Sequence, residues 1–198
     1  HVAAAAHVCI HDSDDVQRPL REALQIGTLF VDPITPPYPD HGLHARFEAL
    51  AEPMVAPIRF KLSTLNLVNA STTCLTSTAT VTMAGKSFVC NSELVLTAAK
   101  KDLLVNTIVP RAFTIVSNAI SVKRNAQTFS IPVGSCFGGI AIPASDQLSP
   151  SADYAFYVAA SPTEGTTIAW ASFCLIASVG KRPMSGRINF SPQYLTAT

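Results

Sequence analysis

From residue 57 onward the chain alternates apolar and polar positions in short bursts separated by turn-forming residues, the signature of strands with one packed face. The first run is IRFKLSTLN (58–66), bounded by Pro57 and an Asn/Ser/Thr-rich stretch. ISVKR (120–124), TFSIPV (128–133), DYAFYVAA (153–160), TIAWASFCLIA (167–177) and GRINF (186–190) follow, with turn residues in GSCFGG, SPTEG and VGKRPMS. One stretch, 91–117, follows another period: Leu104, Ile108, Ala112, Ile115 and Ala119 recur every 3 to 4 positions, with Lys100, Lys101 and Arg111 off the stripe. That spacing predicts one amphipathic helix. Pro110 lies inside it and is expected to kink it or remove a hydrogen bond. A strand, one helix and then several strands make the expected fold class α+β.

The first 56 residues read differently. They contain all five histidines and the proline-dense run DPITPPYPDHG (32–42), which suits a segment laid over something else. DDVQRPLREAL (14–24) is expected to hold a short helix starting near Pro19, with Val16, Leu20 and Leu24 on one face. Composition narrows the class further. The chain is 48% hydrophobic and 14% charged, which excludes an intrinsically disordered tail. A net charge of +1 offers no basic field for counterion-driven binding, so no nucleic-acid partner is expected. The longest nearly uncharged apolar run, TIAWASFCLIASV (167–179), falls short of a membrane span, so no transmembrane segment is expected.

The chain opens at His1 rather than Met, and a processed N-terminus is the expected origin. In an oxidising compartment Cys9, Cys74, Cys90, Cys136 and Cys174 make two disulfides and leave one cysteine over; the residues alone leave the pairing open. In a reducing compartment all five are buried thiols. The sequon Asn69-Ala70-Ser71 favours the secretory reading, whereas Asn189-Phe190-Ser191 is followed by Pro192 and is discounted.

The densest chemistry-bearing cluster is His7-Val8-Cys9-Ile10-His11-Asp12. In a strand His7, Cys9 and His11 share one side, and thiolate and imidazole suit zinc. On the residues alone a solvated tail is the favoured reading. His41 and His44 lack the Glu of H-E-x-x-H, and no GxSxG, P-loop, GxGxxG or H-E-x-x-H occurs. Asp153 and Glu164 suit a solvated rim, and Trp170 a core position.

Three stretches carry a resemblance. Residues 153–198 (DYAFYVAASPTEGTTIAWASFCLIASVGKRPMSGRINFSPQYLTAT) resemble the leishmanolysin family, surface zinc metalloproteases of the GP63 type, just before its zinc helix. CNSELVLTAAKKDLLVNTIVPRAF (90–113) is similar to that family's helix leading into Ile-Pro, which accounts for Pro110. HVCIHD (7–12) resembles its pro-segment motif His-x-Cys-hydrophobic-His-Asp.

The resemblance implies a zincin-type N-terminal subdomain at 57–198, a mixed twisted sheet with one long backing helix, preceded by an irregular pro-segment at 1–56. It implies that Cys9 is an inhibitory zinc ligand, a cysteine switch, and that Cys74 pairs with Cys90 and Cys136 with Cys174. It further implies a substrate edge strand at Ile168, Ala169, Trp170 and Ala171, to which a peptide adds as another strand. Glycosylation at Asn69 fits the secretory route, with the cell surface or extracellular space as destination.

The family pattern continues past LTAT into H-E-x-x-H, a third His and a Met-turn, none of which lies in these residues. The expected function is therefore the N-terminal portion of a zinc metalloendopeptidase proenzyme that cleaves protein or peptide substrates. Its partner is the C-terminal part of the same proenzyme, which supplies the zinc site; the 198-residue chain alone is expected to be inactive. The competing expectation is a noncatalytic surface, adhesion or interaction protein that keeps the fold. A viral coat β-sandwich also fits low charge and many strands, but the long helix and the ordered motifs disfavour it.

Overall fold

The computed structural model describes residues 30–31, 55–178 and 181–196. In chain order its strands are β1 (Phe30–Val31), β2 (Val55–Pro57), β3 (Phe60–Ser63), β4 (Thr80–Met83), β5 (Lys86–Val89), β6 (Ser121–Lys123), β7 (Phe129–Ser130), β8 (Gln147–Leu148), β9 (Tyr154–Ala159), β10 (Ala169–Ala177) and β11 (Pro183–Phe190). The helical region comprises α1 (Ala98–Asp102), a π-helical stretch Leu103–Ile108 and α2 (Val109–Ala119).

A mixed five-stranded sheet in the order β1-β10-β11-β9-β3 organises the fold. β3, β9 and β11 run parallel, β10 is antiparallel to β11, and β1 is parallel to β10. The fold is thus α+β, a mixed sheet with one helical region against it. β9 is apolar on both sides because it lies inside the sheet, between β11 and β3. On one face Val158, Ile188, Phe156 and Phe190 meet Leu104, Val109 and Phe113 of the helical region. The other face, with Ala155, Tyr157, Ala159 and Cys174, is covered by Ile131, Ile140, Ile142 and Leu148 from the long connection after α2.

The helix differs from its predicted form in start and in phase. Asn91 Oδ1 accepts the backbone N–H groups of Glu93 and Leu94, each at 3.0 Å, so residue 91 opens a turn. The helix begins instead at Ala98, where Thr97 Oγ1 caps the N–H of Lys100 at 3.3 Å. Further on, the N–H of Val109 bonds Leu104 O, a five-residue step that makes room for Pro110 at the start of α2. The wider turn rotates the following residues. Leu104 and Ile108 face the core as predicted, but Val109 and Phe113 continue the stripe, and Ile115 is 61% exposed.

Some strands also fall elsewhere than the pattern predicts. The run 120–124 forms β6, which pairs with β2 in a separate ribbon, and 128–133 contributes only β7, paired with β8. β4 and β5 form a hairpin, unpredicted from the pattern, around Ala84 (φ 53°) and Gly85 (φ 79°). The structure joins Cys74 to Cys90, closing this hairpin onto the preceding loop, and Cys136 to Cys174, tying the GSCFGG turn to β10. These are the pairs the family resemblance implies.

Asp153, predicted as a solvated rim, is instead fully buried at the head of β9. Its carboxylate accepts from Arg59 Nε at 2.9 Å, from the backbone N–H of Arg59 at 3.0 Å and from Arg124 Nη1. Burial alone pushes the carboxyl up, but the hydrogen bonds from Arg59 and Arg124 outweigh it and hold it down at about 2. The pairing locks β3 and the β6 end to the start of β9.

Candidate functional site

β10 meets β11 along one side, from Ala169↔Phe190 to Ile176↔Pro183. On its other side β1 covers only Ile176 and Ala177, so among the described residues the stretch from Ala169 to Leu175 has no second neighbour. The N–H of Ser191 donates to Ile168 O at 2.8 Å, which fixes the alternation of the ladder. Residues 168, 170 and 172 direct their backbone groups to β11, and those of Ala169, Ala171 and Phe173 point to the open side. Among the described residues these donors and acceptors have no strand partner, which is the geometry of a sheet edge.

Trp170 and Ser172 project onto the face shared by Arg187 and Asn189 of β11. Arg187 Nε donates to Ser172 Oγ at 2.9 Å, and its guanidinium carbon lies 4.8 Å from the centroid of the Trp170 ring, a cation–π stack. Arg187 is 7% exposed, Nη1 has no hydrogen-bond partner, and no carboxylate among the described residues pairs with it. Burial pushes this guanidinium down to about 10, which leaves it charged at neutral pH. Gly138 (φ 70°) makes room for it: a Cβ there would lie 2.8 Å from Nη1.

The connection into β10 is pinned at several points. Asn189 Oδ1 accepts the N–H of Ser161 at 2.8 Å, and Asn189 Nδ2 donates to Ser161 O at 3.0 Å. The Thr167 N–H bonds Glu164 O at 3.2 Å across a turn containing Gly165, and Lys86 of the hairpin forms an ion pair with Glu164. On the same face as Arg187, Asp146 accepts from Tyr157 Oη, and it also accepts from Lys61 Nζ.

The residues singled out from sequence divide as follows. Of the four residues expected at the substrate edge, Ala169 and Ala171 turn their backbone groups to the side of β10 that is open among the described residues, whereas Ile168, which precedes the strand, and Trp170 turn theirs to β11; Trp170 is half-buried against the core. Asn69 is half-buried after a 3-10 turn (Leu65–Val68), its Oδ1 accepting the Ser71 N–H at 3.0 Å. Cys9, His7, His11, His41, His44 and the short helix expected at 14–24 lie outside the described residues. Among the described residues no group of three or more His, Cys, Asp or Glu could hold a metal: no histidine is present and the four cysteines are disulfide-bonded. This donor set does not fit zinc. No described helix is long and apolar enough to cross a membrane. Sequence reading missed Arg187, whose signal was a single charge in a strand flanked by apolar strands.

A family model described as Leishmanolysin (Peptidase_M8) matches residues 45–198. The leishmanolysin of Leishmania donovani is 28% identical over 202 residues, covering 96% of this chain and 32% of that protein. That of Leishmania major is 30% identical over 110 residues, covering 54% of this chain and 18% of that protein. A leishmanolysin homolog of Crithidia fasciculata is 27% identical over 110 residues, covering 54% of this chain and 17% of that protein. The chain spans about a third or less of the length of these relatives.

Proposed function

Because the chain belongs to the leishmanolysin family, we propose that it is the N-terminal portion of a zinc metalloendopeptidase proenzyme that cleaves proteins at the cell surface or outside the cell. The observation that carries the reading is the open side of β10, where Ala169 and Ala171 present backbone donors and acceptors to an extended peptide. A peptide bound there is held by main-chain bonds, which select for extended conformation and are indifferent to most side chains. Trp170, stacked on Arg187, borders that path and offers a flat apolar surface to one substrate side chain.

Zinc belongs to the C-terminal part in this proposal, since the described residues hold no donor set for it. When bound, a catalytic zinc supplies Lewis-acid activation of water at neutral pH. This chain's own contribution is to bind and align the peptide. Cys9, in a pro-segment at 1–56, is assigned the inhibitory zinc-ligand role, consistent with the other four cysteines being paired. Two disulfides favour maturation along the secretory route, where Asn69 is a candidate for glycosylation.

Peptide mapping of the full-length protein, combined with a fluorescein-casein assay, tests the proposal. The expected result is a peptide with H-E-x-x-H beyond LTAT and casein cleavage that a zinc chelator abolishes and added zinc restores. A full-length protein without that peptide and without cleavage would instead be a noncatalytic surface or interaction protein.

A further inference from the structure

Arg187 is an expensive residue where it stands. A buried cation without a counter-charge costs free energy, and an apolar side chain of similar volume in its place is commonly neutral or stabilising. Yet this guanidinium is 7% exposed, lacks a carboxylate partner among the described residues, and leaves Nη1 without a hydrogen bond. Its polar and ring contacts converge on a single element. Nε holds Ser172 at 2.9 Å and the guanidinium plane holds Trp170, both on β10, while the opposing loop gives way with a glycine at 138.

We propose that Arg187 is a positioning residue for peptide binding, clamping the edge strand β10 through Trp170 and Ser172. The inference rests on reading the open side of β10 as the substrate edge. Trp170 and Ser172 alternate with Ala169, Ala171 and Phe173, whose backbone groups face the open side. A strand with a neighbour on one side only is free to twist and fray; fixing every second side chain from beneath holds the intervening N–H and C=O groups extended before a peptide arrives. Preorganisation of this kind lowers the ordering cost of binding. Arg187 touches no substrate in this arrangement and acts only through β10.

The test uses the full-length protein, with fluorescein-casein as substrate and with the Trp170 emission read as the difference between spectra with and without Trp170→Phe. In Arg187→Met the melting temperature is expected to hold or rise and the Trp170 emission to shift. KM for casein should rise about tenfold with kcat little changed, the mark of lost binding rather than lost chemistry. Arg187→Lys should restore part of the affinity, and Ser172→Ala, which keeps the stack, should raise KM by a smaller factor. An active wild type with an unchanged KM in Arg187→Met overturns the inference alone. A drop in melting temperature with a matching fall in kcat assigns Arg187 an ordinary structural role and also overturns it. A wild type that leaves casein intact overturns the protease reading and this inference with it.

Discussion

Asp153 illustrates how a single carboxylate can anchor several elements, and it makes the stability of this domain depend on pH in a predictable direction. Its folded-state value, about 2, lies below the ordinary aspartate value. A depressed carboxyl contributes stability that is complete above the unfolded value and is lost as pH falls through the folded one. The contribution, about 2 kcal/mol, is therefore expected at neutral pH and should disappear between about pH 4 and pH 2. Urea unfolding across that range checks it, and Asp153→Asn should flatten the acid limb while lowering stability at pH 7. Gly186 offers a second residue-scale test. A Cβ there would lie 1.9 Å from Tyr154 Oη and 3.0 Å from Ser172 O. Gly186→Ala is expected to destabilise by about 1–3 kcal/mol through overpacking, and adding Tyr154→Phe should recover part of the loss in a double-mutant cycle. Neither residue could be read from pattern alone: Asp153 looked like a rim carboxylate until the fold brought Arg59 and Arg124 to it.

Among the elements, the helix shows how a correct period can still give a wrong face. The repeat of apolar residues at 3 to 4 positions located it, but the π-helical stretch before Pro110 adds a residue to one turn and changes which side chains point inward. Phe113 stacks on Phe60 at 4.2 Å between ring centroids and meets Phe156 edge-on at 5.2 Å, while Ile115 faces outward. Phe113→Ala is accordingly expected to cost about 3 kcal/mol, and Ile115→Ala less than about 0.5 kcal/mol. Thermal unfolding of the two variants decides between the phases, since an uninterrupted α-helix through Leu104 and Ile108 predicts the reverse order. The β4–β5 hairpin went unread for a related reason. Its turn is Ala-Gly, with Ala84 at positive φ, which lacks the Asn-Gly or Asp-Gly signal that usually marks such turns.

At the scale of the molecule, the disulfides and the sheet edge tie the fold to the proposed activity. Cys136–Cys174 closes a loop with a sequence separation of 38 and anchors β10 from the face opposite the helix. Replacing both cysteines with Ala should cost about 2–4 kcal/mol and weaken casein binding along with stability, unlike Arg187→Met. With both disulfides intact, alkylation of the native protein is expected to label Cys9 alone; recovery of Cys9 in a disulfide would remove the latch from the proposal. The sequence by itself determined the elements whose signals are local: the alternating runs that became β9, β10 and β11, the helical period, the cysteine set, and motifs specific enough to point to the leishmanolysin family. Those signals are local because side-chain period and turn chemistry act over a few residues. What only the tertiary structure decided were relations between distant residues. These include the order β1-β10-β11-β9-β3 that, among the described residues, leaves most of one side of β10 open, the burial of Asp153 between two arginines, and the placing of Arg187 beneath Trp170. Burial and pairing depend on which surfaces meet, and no window of sequence contains both partners.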